Sequence, residues 1–438
     1  MNLLHTFPAE KCACGKEHRA GVREVFSGSG AVEKLPECLR TLDVKSVFLL
    51  ADPNTFRAAG ETVQRLLEKE GFLCKSYILP AEKPEPDEQN VGSAVMHFDR
   101  NTDAVVAVGS GVVNDIGKIL AHMAAKPYVI VATAPSMDGY ASATSSMSRD
   151  GLKISLPTKC ADVIIGDTDI LCRAPEELLQ AGLGDMLAKY VSICEWRISH
   201  LVTGEYYCER VSDLVRQALR RCVENAGGLL RREPAAVEAV FEGLVLGGIA
   251  MAYAGTSRPA SGVEHYISHI WDMRGLEFGT KVDLHGRQCA VGTLLAAREY
   301  ARLQTLRPNR EKALAHARKF SFPIWSETLR LFLRRGAETM IAQEEKDKKY
   351  DPVLHRQRIE NILENWDKIL EIVKEEIPAP ETLEALFDKT GMPKTPGELG
   401  ISDAITDMAF AATKDIRDKY VLSRLLWDLG EGESRKDI

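Results

Sequence analysis

Three short segments carry the chemistry most readily read from this chain: GLGDMLAKY (182–190), GVEHYISH (262–269) and LHGRQ (284–288). Each sets a carboxylate or an imidazole among small and apolar residues. Such a group is costly to bury unless it is paired or bound to a metal. Asp185, His265 and His285 together supply one carboxylate and two imidazoles. That donor set suits Zn²⁺, Ni²⁺ or Fe²⁺ and leaves coordination positions open for substrate oxygens. Long stretches of chain separate the three, so only the fold can join them. His265 and His269 stand one helical turn apart and share a face. Either both ligate one metal, or one ligates and the other meets the substrate. Tyr266, Ile267 and Ser268 lie between them, which excludes the H-E-x-x-H pattern of metalloproteases. Glu264 is expected to point away from the site. Taken singly, each histidine reads as a hydrogen-bonded core residue, and Asp185 with Lys189 as an ordinary helix ion pair.

A second group of residues suits a nucleotide. GSGVVND (109–115) joins an expected strand to an expected helix. Gly109 and Gly111 permit a tight turn and close backbone approach, and the helix start beyond them presents amides and a positive dipole end to a pyrophosphate. Asn114 occupies the place of the third glycine in G-x-G-x-x-G, so the usual fingerprint is incomplete. Alone, such a loop is equally a plain strand-to-helix turn. TAPSMDGYAS (133–142) follows the next strand, and Thr133, Ser136 and Ser142 offer hydroxyls to a cofactor or phosphate. Asp138 precedes a glycine and also reads as a turn former. Asp52, at a strand end, suits an adenosine ribose or the cap of the Pro53-Asn54 turn. Near the N-terminus, Cys12, Cys14 and His18 place three metal donors close together. With no second CxxC they do not close a tetrahedron, and the segment reads as a turn.

The elements that must position these residues change character along the chain. SVFLLAD (46–52), LCKSYIL (73–79), AVVAVGS (104–110) and YVIVAT (128–133) read as buried strands. The helices between them carry Ala59, Val63, Leu66 and Leu67 on one face, then Val91, Val95 and Phe98. This alternation predicts a parallel sheet with crossover helices, followed by a hairpin turning at Arg149-Asp150-Gly151. Beyond about residue 170 the pattern is helical, with Pro175, Pro259 and Pro323 as starts or breaks. Ile362, Leu363, Trp366, Ile369, Leu370 and Val373 form a core stripe, and EEKDKKYD (344–351) reads as a solvated linker. The expectation is an α/β plus all-α protein. A Rossmann-like dinucleotide-binding domain (1–170) precedes a helical metal- and substrate-binding domain (171–438), with cofactor and metal in the cleft between them.

Of 438 residues, 45% are hydrophobic, enough to bury a core. Lys and Arg number 56 against 63 Asp and Glu, a net charge of −7 that argues against a nucleic-acid partner. The first residues lack a signal peptide pattern, and no uninterrupted apolar run reaches about 18 residues, so no membrane segment is expected. Ten scattered cysteines suit reduced thiols in the cytoplasm.

ADPNT, GSGVVND, TAPSMDGYAS, GLGDMLAKY, GVEHYISH and LHGRQ, in that order, resemble the superfamily of iron-containing alcohol dehydrogenases, glycerol dehydrogenases and 3-dehydroquinate synthases. Within it the chain most resembles the sn-glycerol-1-phosphate dehydrogenases, particularly their bacterial branch. The resemblance implies that Asp52, Gly109, Ser110, Gly111, Val112, Val113, Thr133, Ser136 and Ser142 contact NAD(H) or NADP(H). It implies that Asp185, His265 and His285 hold one Zn, Ni or Fe ion, and that Asp138, Asp185 and His269 meet the substrate, Asp185 and His269 acting in catalysis. The implied reaction is hydride transfer between dihydroxyacetone phosphate and sn-glycerol 1-phosphate, serving phospholipid biosynthesis, in a cytoplasmic homodimer. Glycerol or another polyol is the alternative substrate within the superfamily. A dehydroquinate-synthase-like lyase is a further alternative, though the segment around Asp138 lacks the lysine pattern of those enzymes. Ser110 replaces a glycine common in the family's cofactor loop, and Met137 stands where a polar residue is expected. Beyond about residue 305 the sequence offers no specific motif for the resemblance.

Overall fold

The computed structural model describes residues 10–81, 83–149 and 152–431, and the chain forms two compact units. The first takes the chain up to Met186 and again over Asp213–Thr256; the second takes Leu187–Ser212 and everything from Ser257 onward.

In the first unit, β1 (Glu10–Lys11) and β2 (Glu17–His18) form a small antiparallel ladder. Six strands form a parallel sheet: β3 (Glu24–Gly28), β4 (Ser46–Ala51), β5 (Leu73–Ile78), β6 (Ala104–Gly109), β7 (Tyr128–Ala132) and β10 (Val163–Asp167). Their order across the sheet is β3-β10-β7-β6-β4-β5. Every residue of β6, β7 and β10 is buried, as expected of parallel strands covered on both faces. One face packs Leu35, Leu39, Val63 and Leu67 under Val47, Leu49, Val106, Val129 and Ile165. The four strands read from sequence are present, and β3 and β10 join them. These two are the short segments EVFSG and VIIGD, each of five residues. β8 (Thr144–Arg149) and β9 (Leu152–Pro157) form the expected hairpin, whose turn at 150–151 lies outside the described residues. Helix Glu88–His97 buries Ala94 and exposes Val95, so its inner face is rotated from the expected stripe.

The boundary expected at residue 170 is not the one observed. Helix Pro234–Ala254 packs against β3 and against the turn at Asp138–Ala141, which ties a late helical stretch to the sheet. By length and composition this helix could cross a membrane, but 78% of its apolar window is buried inside the structure.

The second unit is helical. A core including Val191, Ile198, Val263, Ile267, Trp271, Tyr300, Trp325, Leu329, Trp366 and Trp427 gathers Lys189–Thr203, Val263–Phe278, His285–Leu303 and the later helices. The stripe from Ile362 to Val373 is core as expected, but Asn365 divides it between two helices, Pro352–Glu364 and Trp366–Glu376. The segment 344–351 is not a solvated linker. It ends helix Arg335–Asp347, buries Glu344 and places Tyr350 in the core, donating to Asp415 at 2.8 Å.

Candidate active site

The first unit gathers the expected cofactor residues at the carboxyl ends of adjacent strands. The chain runs from β4 outward to β5, then returns to β6 on the other side of β4. The ends of β4 and β6 therefore flank a topological switch point, where open α/β sheets bind ligands. Asp52 follows β4, and Gly109 ends β6. Ser110 starts helix Gly111–Ala124 without any side-chain cap, leaving the first-turn amides to an anion. A Cβ on Gly109 would lie 2.5 Å from Val113 Cβ, so glycine is required for this turn. Asp52 does cap its turn: Oδ1 accepts from the amides of Asn54 at 2.8 Å and Thr55 at 2.9 Å. Thr133, Ser136, Asp138 and Ser142 line the loop after β7, and its shape is fixed from helix Gly111–Ala124. Buried Lys118 donates to Gly139 O at 3.0 Å and to Ser142 Oγ at 3.2 Å, and Asn114 Nδ2 donates to Gly139 O at 3.3 Å. Asn114, the residue that breaks the glycine fingerprint, thus braces the neighbouring loop.

The same loop receives Asp185. Helix Glu176–Leu187 approaches so closely that a Cβ on Gly182 would sit 1.7 Å from Pro135 O. One turn later on that face, Asp185 is buried, and its Oδ2 accepts from the Asp138 amide at 2.9 Å. Carboxylate oxygens of Asp138 and Asp185 lie within 4.8 Å of each other.

In the second unit the three expected histidines converge. Helices Val263–Phe278 and His285–Leu303 cross tightly, for a Cβ on Gly292 would lie 2.8 Å from Glu264 O. Ring centroids of His265 and His285 are 5.0 Å apart, and those of His269 and His285 are 5.3 Å apart and stacked. Glu264 does not point away. Its Oε1 turns back to accept the Gly262 amide at 2.7 Å and meets His265 Nδ1 at 2.8 Å. The Ser268 hydroxyl bonds His285 Nδ1 at 2.7 Å. Each Nδ1 is held by a neighbour, which assigns Nε2 to any metal. Cys289, one turn beyond His285, puts its sulfur 3.6 Å from His285 Nε2. Sequence reasoning missed this thiol, although its i, i+4 spacing from His285 is the signal for it.

Buried charges anchor the start of the first of these helices. Glu195 accepts the amides of Val263 at 3.0 Å and Leu422 at 2.8 Å. Burial pushes its pKa up to about 8 against the pull of Lys419, with Glu264 adding to the rise. Lys419, whose pKa is lowered by burial, donates to the carbonyls of Ser192, Arg258 and Ser261.

The family model for iron-containing alcohol dehydrogenases matches residues 26–175. A glycerol-1-phosphate dehydrogenase [NAD(P)+] from Halalkalibacterium halodurans is 34% identical over 296 residues, covering 67% of this chain and 74% of the relative. The chain belongs to the glycerol-1-phosphate dehydrogenase family. A second member, from Geobacillus thermodenitrificans, is 28% identical over 93% of both chains, so the likeness to this family extends past residue 305. Among solved structures, maleylacetate reductase from Rhizobium sp. strain MTP-10005 shares the fold with a TM-score of 0.61, at 15% identity over 97% of this chain and 99% of that one. A probable glycerol dehydrogenase from Sinorhizobium meliloti 1021 gives a TM-score of 0.59 at 17% identity, over 96% and 100%. The glycerol-1-phosphate dehydrogenase fold is thus an N-terminal α/β unit with a helical C-terminal one. Two basic residues suited to a substrate phosphate are already engaged: Arg258 pairs with Glu205 and Asp418, and buried Lys189 donates to Ala260 O at 3.1 Å.

Proposed function

We propose that this chain reduces dihydroxyacetone phosphate to sn-glycerol 1-phosphate with NAD(P)H, and reverses the reaction, in dependence on one divalent metal of the Zn, Ni or Fe class. The observation that carries this reading is the convergence of His265, His269 and His285, with Nδ1 of His265 and His285 each held in place. The donor set fits a borderline metal: two imidazoles braced by a carboxylate and a hydroxyl, with Asp185 as the proposed carboxylate ligand. When bound, the metal supplies Lewis acidity at the reacting carbonyl and the reduced nicotinamide supplies hydride.

The chain's own residues do the rest. The uncapped amides at Gly111, Val112 and Val113 hold the cofactor pyrophosphate, with Ser110 and Gly109 giving the backbone its close approach. Asp52, Thr133, Ser136 and Ser142 orient the cofactor from the strand ends. Asp138 fixes a substrate hydroxyl, and His269 gives a proton to the oxygen of the reduced carbon. The reaction sits in the cytoplasm in a homodimer and supplies phospholipid biosynthesis; ten cysteines, none in a disulfide, suit a reducing compartment.

The test is NADH oxidation with dihydroxyacetone phosphate before and after chelation, with Zn²⁺, Ni²⁺ and Fe²⁺ returned one at a time. Turnover should vanish with the chelator and return with a metal, and the product should be the sn-1 enantiomer. Undiminished turnover in metal-stripped protein would overturn the metal assignment. Equal turnover of unphosphorylated dihydroxyacetone would move the substrate to the polyol branch.

A further inference from the structure

Well outside the residues assigned above, the turn between β1 and β2 brings three soft donors together. The Cys12 amide donates to Lys16 O at 3.1 Å and the Gly15 amide to Cys12 O at 3.0 Å, with Gly15 in the left-handed region at φ 85°. This reversal sets Cys12 Sγ, Cys14 Sγ and a His18 nitrogen within 4.8 Å of one another. Cys14 Sγ and His18 Nε2 are 3.5 Å apart. Ligands of one tetrahedral zinc, at bond lengths of about 2.3 Å to sulfur and 2.0 Å to nitrogen, stand roughly 3.5–3.8 Å apart. The donors therefore need only a small contraction to share an ion.

His18 is prepared for this. It is buried, its ring stacks on Tyr253 at 5.4 Å, and its Nδ1 donates to Tyr253 O at 3.0 Å. That bond fixes the tautomer with the Nε2 lone pair turned toward Cys14, the arrangement that metal-binding histidines receive from a backbone carbonyl. Lys16 Nζ donates to Ala254 O at 3.0 Å, so the same turn seizes the carboxyl end of helix Pro234–Ala254 twice. A CxCxxxH segment read from sequence as a turn is thus a turn whose donors face one point.

We propose that Cys12, Cys14 and His18 bind a structural zinc-class ion, with one tetrahedral position left to a ligand from outside this hairpin, and that the ion pins the N-terminal ladder to the end of helix Pro234–Ala254. Binding releases the thiol protons and forms two metal–thiolate bonds. The site is distinct from the imidazole cluster at His265, His269 and His285.

Two measurements on the full chain test it. Metal analysis of zinc-equilibrated protein should show one ion per chain fewer in the Cys12→Ser/Cys14→Ser variant than in the wild type, with metal-dependent turnover retained. Equal metal content would overturn the proposal. If that variant fails to fold, alkylation of wild-type cysteines followed by mass spectrometry decides. Added Zn²⁺ should slow modification of Cys12 and Cys14 by about tenfold or more, because the bound thiolate is no longer the nucleophile. Cys74, also partly exposed, should be unaffected. Equal rates at Cys12 and Cys14 with zinc and with chelator would contradict the site.

Discussion

At the scale of single residues, Glu264 is the instructive case. Its position next to His265 in the helix suggests divergence, since consecutive helical side chains face different ways. The structure instead places it at the first turn, beside a glycine, where its carboxylate folds back to the Gly262 amide and meets His265 Nδ1 on the same oxygen. No pattern of residue types reveals that, because it depends on where the helix begins. Glu264 is a positioning residue for His265. Glu264→Gln should raise the metal concentration for half-maximal turnover by about 10–100-fold, with turnover at saturating metal largely kept. Titration of turnover in metal-buffered solution reads this; an unchanged half-saturating concentration would remove Glu264 from the metal site. The histidines themselves were legible, because imidazoles in apolar helical segments are conspicuous. Cys289 was not, because a buried cysteine resembles any small apolar residue.

At the scale of elements, close approach does the positioning. Helix Glu176–Leu187 can reach the loop after β7 only because residue 182 has no side chain. Gly182→Ala should destabilise the first unit by about 1–3 kcal/mol or more. It should also lower turnover by shifting Asp185; proteolysis rates and turnover together check this. The second unit carries a buried ionic cluster that sequence could not assemble. Asp415 accepts from Trp325 Nε1 at 3.0 Å and from Tyr350, and pairs with Arg424 and Lys414. Burial alone would raise its pKa, but Lys414, Arg424 and Lys349 outweigh burial and hold it below the ordinary carboxylate value. A depressed folded-state pKa gives stability that is present above the unfolded pKa, near 3.8, and lost as pH falls below it. Asp415→Asn should cost roughly 3–5 kcal/mol at neutral pH, by leaving buried cations without their partner. It should also flatten the loss of stability below about pH 4. All five tryptophans lie in the second unit, so fluorescence-monitored urea melts follow it selectively.

At the scale of the whole molecule, the parallel sheet and the helical remainder were legible because each has its own periodicity. Continuous apolar runs mark β4, β6 and β7, and the glycine loop marks the carboxyl end of β6. The division into units was harder to read. Helix Pro234–Ala254 looks like the rest of the helical half yet packs on the sheet, a long-range choice that composition does not encode. β3 and β10, neighbours in the sheet, carry apolar runs of only two and three residues, Val25-Phe26 and Val163-Ile164-Ile165, which do not stand out from the surrounding chain. The central proposal is that Asp185, His265 and His285 hold one metal ion. Replacing His285 with Ala tests that claim most directly. The account predicts a variant with wild-type circular dichroism and intact NADH binding, but no recovery of dihydroxyacetone phosphate reduction at any concentration of Zn²⁺, Ni²⁺ or Fe²⁺. Full metal-dependent turnover in that variant would contradict it.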